Sequence, residues 1–345
     1  MAFKGLSDYT DKEILAGGTP EEAQLYLAYM KALLVYGFSE LIFASVTDID
    51  PNGVNGSRIL KISYIDGLTG ATGRKIGQNG KAVNVVRSTK TVEMTTLSSS
   101  FNVDRVQMKT ANENNRLIAD NMNDCTLSVA QLFMETLFKG KIGDDIGNGV
   151  KLAYDGIDEM LKAGNVLADM DNKTVLKIPG GINDKTTSNK FGKHMFSTIN
   201  KMGANKPTHV VTTFDGADQF VAYNMNANAG IHYIEVGDIK YLDFAGIKVV
   251  ALPNKYFSSE TLAKGIPFYF MRNVKDKTGF AVITLDGKIF DPLVPKLLFN
   301  NGRVEEGSNE MTCVPVACSS ECVSRCFVDI TETETSVTET PGAKG

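Results

Sequence analysis

Between residues 57 and 109 the chain strings together short β-type runs, Ile59 to Ile65, Ala82 to Val86, Thr91 to Leu97 and Phe101 to Val106, around a span carrying Gly67, Gly70, Gly73, Gly77 and Gly80. Branched and aromatic residues bounded by glycine read as strands joined by turns, so the stretch predicts a long β-hairpin. Few apolar side chains line the tip between Gly67 and Gly80. Such a tip buries no core of its own, and a lone two-stranded ribbon is marginal in water, so another surface must pin it. Nine basic residues against three carboxylates leave the stretch with a net charge of +6.

The flanking segments read differently. The first 56 residues carry three lysines against eight carboxylates, a net −5. Within them Thr19-Pro20-Glu21-Glu22 starts a helix: Thr19 caps, Pro20 stands where no N–H is needed, and Glu22 closes a capping box. Ala23, Leu27, Met30, Leu34, Phe38 and Leu41 follow at spacings of three or four, one apolar helix face that Gly37 can bend. After the hairpin, Thr110 and Glu113 form a second capping box ahead of Leu117, Ile118, Met122, Cys125, Val129, Leu132, Phe133 and Leu137. These predict a helix of about 25 residues, well beyond the mean of about 11 to 12, ended by Gly140, Gly143, Gly147 and Gly149.

Tyr154 to Leu161 reads as a short helix behind that glycine loop. Asn189 to Met202 is a helix with Phe191, Met195, Ile199 and Met202 on one face, and Asp215 to Met225 is another. Thr208 to Thr213, Phe244 to Pro253, Phe268 to Met271 and Phe280 to Leu285 are β-type. Helices and strands alternate loosely, which predicts an α/β or α+β domain. From Ile330 the Thr and Glu runs read as a solvated tail.

With 345 residues, 43% apolar and 22% charged, the chain has the composition of a folded protein with room for two compact domains. No apolar stretch approaches the roughly 20 residues a bilayer core demands. Met1 to Ser7 lacks the apolar centre of a signal peptide, so the cytoplasm is the expected place of synthesis. The total charge of −4 excludes a protein that coats nucleic acid through bulk charge.

Candidate chemistry is sparse. Gly67-Leu68-Thr69-Gly70-Ala71-Thr72-Gly73-Arg74-Lys75 invites a phosphate-loop reading, and with it a phosphate-binding α/β enzyme. The spacing is not that of the Walker motif, no Ser or Thr follows Lys75, and no helix is predicted there, so a flexible hairpin tip is the better reading. Asp144-Asp145 and Asp158-Glu159 lack a companion His, Ser or Lys and read as solvated loop acids. His194, His209 and His232 are scattered, without partners at metal spacing. Of the five cysteines, Cys125 stands alone in the long helix, while Cys313, Cys318, Cys322 and Cys326 crowd together near the C-terminus. Buried or edge-strand thiols come first as their explanation, ahead of disulfides formed on release into an oxidising medium and ahead of zinc. No catalytic, cofactor or metal constellation emerges, so no enzyme and no cofactor are expected.

The order of an acidic arm, a basic hairpin, a long helix and an α/β part resembles the major capsid protein of tailed bacteriophages, the Hong Kong phage-type shell fold shared by encapsulins. Four stretches carry the likeness: Phe101-Asn102-Val103-Asp104 before the long helix, Tyr154-Asp155-Gly156-Ile157 within Gly149 to Leu161, Pro207-Thr208-His209-Val210-Val211 leading to Asp215-Gly216-Ala217, and Ala245-Gly246-Ile247-Lys248-Val249-Val250. The cysteine cluster departs from the family pattern.

The resemblance implies an α+β capsid fold in six parts. They are an N-terminal arm over 1–56, an extended loop over 57–109, a peripheral domain with its spine helix over 110–188, an axial domain over 189–284, return strands over 285–330 and an acidic tail over 331–345. It implies self-assembly through pentamers and hexamers into an icosahedral shell around double-stranded DNA, bound without sequence specificity, in a virion with portal, scaffolding and decoration proteins. An encapsulin compartment around protein cargo is the alternative. Since no scaffolding segment precedes the arm, scaffolding is expected on a separate protein, and extensive N-terminal processing is not expected. Arg74, Lys75 and Lys81 are expected to contact an adjacent subunit, where opposite charges steer register. Lys75 or Lys81 is placed for a covalent link to a neighbour's Asn, with no partner assigned. Residues 304–345 carry a net −6, so an outward or capsomer-top position suits them better than one against packed DNA.

Overall fold

In this computed structural model, residues 59–67, 86–103, 114–203, 205–227, 231–236, 239–273, 279–285, 290–293 and 305–331 are described. The arm helix from Thr19 to Leu41, the hairpin tip, the Thr110–Glu113 capping box and the tail lie outside the described residues.

Strands β1 (Ile59–Gly67) and β2 (Val86–Glu93) pair antiparallel, Ile59 opposite Glu93 and Ile65 opposite Arg87, and form the stem of the expected hairpin. The chain then changes partner. Met94 and Thr95 are buried in succession, which breaks the two-residue alternation, and β3 (Thr95–Val103) pairs along its whole length with β12 (Glu305–Ala317). The sequence reading kept residues 95–103 with the loop as parts of two runs; in the structure they are one strand of the body, with Leu97 buried in its core. On its other edge β12 pairs with β10 (Phe280–Thr284) and β11 (Asp291–Leu293).

Across this sheet lies α1 (Asn114–Lys139), whose 26 residues match the expected long helix. Met122, Cys125, Val129, Phe133 and Leu137 recur at three or four residues and are all buried. Asn309 Nδ2 on β12 donates to Thr126 Oγ1 on α1 at 2.6 Å, a polar tie within that apolar contact. The helix stops at Gly140, and the loop beyond it returns so that Gly156 N–H donates to Gly140 O at 2.8 Å, just ahead of α2 (Ile157–Met160). A Cβ at Gly156 would stand 2.6 Å from the Thr136 carbonyl oxygen, so only glycine fits there.

The second lobe is a seven-stranded mixed sheet in the order β4-β13-β9-β5-β8-β7-β6. Its strands are β4 (Asp171–Lys177), β5 (His209–Thr213), β6 (Tyr233–Val236), β7 (Ile239–Phe244), β8 (Ile247–Leu252), β9 (Ile266–Met271) and β13 (Val323–Asp329). Helices α3 (Lys185–Lys201) and α4 (Phe214–Asn226) cover one face. The other face meets the first lobe, with the short α5 (Ser259–Leu262) between them. Alternation sorts the side chains: Val210, Phe268 and Phe270 point under α3 and α4, while Val211, Tyr269 and Met271 join Phe133, Phe138 and Met311 in the core shared with α1. A sheet buried on both faces explains the unbroken apolar run Ile266–Met271.

Two boundaries differ from the sequence reading. The run Phe244 to Pro253 is two strands, because Ala245 (φ 53°) and Gly246 (φ 82°) turn the chain between β7 and β8. Helix α3 begins at Lys185 and not at Asn189, since the Asp184 carboxylate accepts from Thr187 N–H at 2.6 Å and the Asp184 N–H donates back to Thr187 Oγ1 at 3.1 Å.

Candidate functional site

Arg74, Lys75 and Lys81, the expected contact residues of the hairpin, lie outside the described residues, as does all but Gly67 of the glycine-rich tip. The remaining sites expected from sequence fall within the two lobes.

The cysteines divide between the two cores. Cys313 on β12 and Cys322 before β13 are buried in the core shared with α1, and half-buried Cys318 packs against it. Cys326 on β13 faces the other core, beneath α3. None of them is joined in a disulfide, and among the described residues no three His, Cys, Asp or Glu side chains are grouped to hold a metal. Burial pushes the Cys313, Cys322 and Cys326 thiols up to about 12, so near neutral pH they are protonated and poor both as ligands and as nucleophiles.

The histidines sit apart. His209 Nδ1 is 2.8 Å from Thr208 Oγ1 in a buried strand. His194 Nε2 lies 3.2 Å from the Phe327 carbonyl, and burial lowers its pKa. Asp144 and Asp145 are exposed, as the sequence reading expects, and Asp145 is held below the ordinary carboxylate range by the Gly147 N–H and by Lys151.

Asp158 departs from that reading. It is not a solvated loop acid: its side chain is 7% exposed, and both oxygens are fully used. Oδ1 accepts from Arg325 Nη1 and from Tyr269 Oη, and Oδ2 accepts from Ser258 Oγ at 2.9 Å and Thr261 Oγ1 at 2.8 Å. The same guanidinium donates through Nε to Asp171 Oδ1 at 3.0 Å. Burial works against the Arg325 charge, but Tyr269, Asp171 and Asp158 outweigh it and raise its pKa above the ordinary arginine value. Burial, reinforced by the Asp158 charge, raises the Tyr269 pKa well above that of a free phenol, so the hydroxyl stays a donor. Glu159, next in sequence, turns the other way and pairs with Lys162.

Rings complete the junction. Phe138, in the last turn of α1, packs at 5.3 Å from both Phe257 and Tyr269, and the Arg325 guanidinium lies 5.0 Å from the Phe327 ring. The cluster thus gathers side chains from α2, α5, β4, β9 and β13 where the long-helix lobe meets the seven-stranded lobe. A lone basic residue inside the apolar run Val323-Ser324-Arg325-Cys326-Phe327-Val328 was the available signal, because a buried arginine requires acid partners.

No protein-family model and no curated protein matches the sequence. Solved structures match it by shape. The holo-SrpI encapsulin complex from Synechococcus elongatus aligns over 97% of this chain and 99% of its own, with a TM-score of 0.54 at 9% identity. A structure of Mycobacterium phage Cain aligns over 94% of this chain and 99% of its own, with a TM-score of 0.51 at 9% identity. One of Mycobacterium phage Adephagia aligns over 89% and 91%, with a TM-score of 0.50 at 11% identity. The chain has the Hong Kong phage-type capsid fold. Among the described residues no helix is long and apolar enough to cross a membrane.

Proposed function

We propose that this protein is the major capsid protein of a tailed bacteriophage, self-assembling through pentamers and hexamers into an icosahedral shell around double-stranded DNA, with a structural and not a catalytic role. The observation that carries the reading is the extent of the likeness: the structure of Mycobacterium phage Cain aligns over 94% of this chain and 99% of its own, with a TM-score of 0.51. The charge pattern supports it. A hairpin segment of net +6 and an arm of net −5 are matched for contact between neighbouring copies, in which long-range attraction sets register and buried surface supplies affinity. Head-to-tail contacts of this kind close into rings where the rotation between copies divides a full turn. On this reading Arg74, Lys75 and Lys81 meet an adjacent subunit, α1 is the spine of the peripheral domain, the seven-stranded sheet with α3 and α4 is the axial domain, and the β1–β2 stem belongs to the extended loop; the six parts above keep their order, with β3 moved from the loop to the body and β4 to the axial sheet. Portal, scaffolding and decoration proteins are the further partners in a virion made in the host cytoplasm.

The likeness to an encapsulin complex favours a second reading, a protein compartment around protein cargo. Negative-stain electron microscopy of the purified protein tests both: uniform polyhedral particles are expected, and a small globule alone refutes the shell. Nuclease-protected DNA inside the particles selects the capsid, whereas protein cargo without nucleic acid selects the compartment. Deletion of Gly67 to Gly80 is expected to leave a soluble protein that forms no stable shells.

A further inference from the structure

We propose that Arg325 and the donors around Asp158 form a positioning clamp that fixes the angle between the two lobes and, through it, the curvature of the assembled shell; the curvature step rests on the shell reading above. Asp158 belongs to the long-helix lobe, because α2 is anchored by Gly156 N–H on Gly140 O at 2.8 Å and by Ile157 and Met160 in the shared core. Arg325, Tyr269 and Asp171 belong to the sheet, on β13, β9 and β4. The ion pair therefore spans the junction, with side chains only 4% and 7% exposed.

Two kinds of contact hold this junction. The Phe138, Phe257 and Tyr269 rings are apolar, and apolar contact is non-directional and tolerates small slides. A carboxylate with four donors does not. Any rotation of one lobe on the other pulls Asp158 off Arg325 and Tyr269 on one side, or off Ser258 and Thr261 on the other. A buried ion pair stabilises a fold little more than well-packed apolar residues of similar volume, and its best-attested use is to select one arrangement among several. Curvature is where that selection tells. On the shell reading each copy meets its neighbours through both lobes, so a fixed interlobe angle makes every copy the same rigid body and leaves the difference between pentamer and hexamer to the contacts between copies, whereas a loose angle adds its own spread of rotations to every ring.

The test separates geometry from stability. In a triple variant, Asp158→Leu with Asp171→Asn and Arg325→Met, an apolar contact replaces the clamp. Its melting temperature is expected to fall only modestly, because Tyr269 Oη and Thr261 Oγ1 lose their acceptor, while the share of open or off-size particles rises several-fold by electron microscopy. Particles of the parent's diameter and uniformity would overturn the proposal. If the triple variant does not fold, Ser258→Ala with Tyr269→Phe removes one donor from each Asp158 oxygen and keeps the ion pair; a smaller broadening of the same kind is expected, and unchanged particles overturn the clamp. A parent protein that forms no closed particles sinks the shell reading instead. The clamp is then read from solution scattering of the subunit, whose shape must differ between parent and variant, and an identical profile refutes it.

Discussion

Gly156 lies so close to Thr136 in the last turn of the long helix that a Cβ there would stand 2.6 Å from the Thr136 carbonyl oxygen and 2.9 Å from that of Leu137. Both obstacles are backbone, so no change of rotamer relieves them. Gly156 has φ −76°, which any residue adopts, and the constraint is therefore steric and not conformational. Gly156→Ala is expected to destabilise by about 2 to 3 kcal/mol, as overpacking does. A urea midpoint equal to that of the parent would show that α2 can move away freely.

The Thr126–Asn309 bond ties the spine to the central strand of its sheet. Thr126 Oγ1 accepts from Asn309 Nδ2 at 2.6 Å and donates to Met122 O at 2.8 Å, and both residues are buried. Thr126→Val keeps the shape and leaves the amide without its acceptor, at an expected cost of about 1 to 3 kcal/mol. Thr126→Ser should recover most of that loss in the same denaturation measurement; equal losses for the two variants would point to packing instead.

Three buried thiols make the fold alkali-sensitive. Cys313, Cys322 and Cys326 are raised to about 12 from an unfolded value near 9, so the folded chain holds their protons longer than the unfolded one. The stability this gives is complete below about pH 9 and is lost as pH climbs toward 12, at up to roughly 1.4 kcal/mol per group per pH unit. Melting temperature should be flat between pH 7 and about 8.5 and fall steeply above that. Cys326→Ala should make the fall shallower, and an unchanged slope would remove this thiol from the account. At neutral pH half-buried Cys318 should be the first of the four to react with a thiol reagent.

Acid should act through His194. Burial lowers its pKa, so the folded chain gives up this proton more readily than the unfolded one. The contribution is present above the ordinary histidine value of about 6.5 and is lost as pH falls below it. His194→Gln should flatten the decline in melting temperature between about pH 6.5 and 5, and an identical decline would assign the acid sensitivity to other groups.

Much of the fold was legible because its elements have clean periods. Met122, Cys125, Val129, Phe133 and Leu137 mark the spine by spacing alone, and Ile59 to Ile65 marks a strand by its branched side chains. The run Phe244 to Pro253 was misread as one strand because a type of turn that needs two positive φ values is signalled here by Ala-Gly, a weaker cue than Asn-Gly. The four cysteines were visible, but their division between two cores was not, because Cys313 and Cys326 lie on strands in different sheets. Arg325 was legible as an oddity and its role was not: its partners Asp158 and Asp171 stand 167 and 154 residues away in the chain.

The sequence by itself determined the kind and order of the elements, since helix and strand periods and glycine stops act over a few residues. It also determined the charge contrast between arm, hairpin and C-terminal region. The tertiary structure alone decided that β3 leaves the hairpin for β12, that Asp158 is caged while Asp144 and Asp145 meet water, and that the two lobes lock through Arg325. Each depends on which distant surface excludes water from a group, and desolvation is a property of the packed neighbours, not of the residues beside it in the chain.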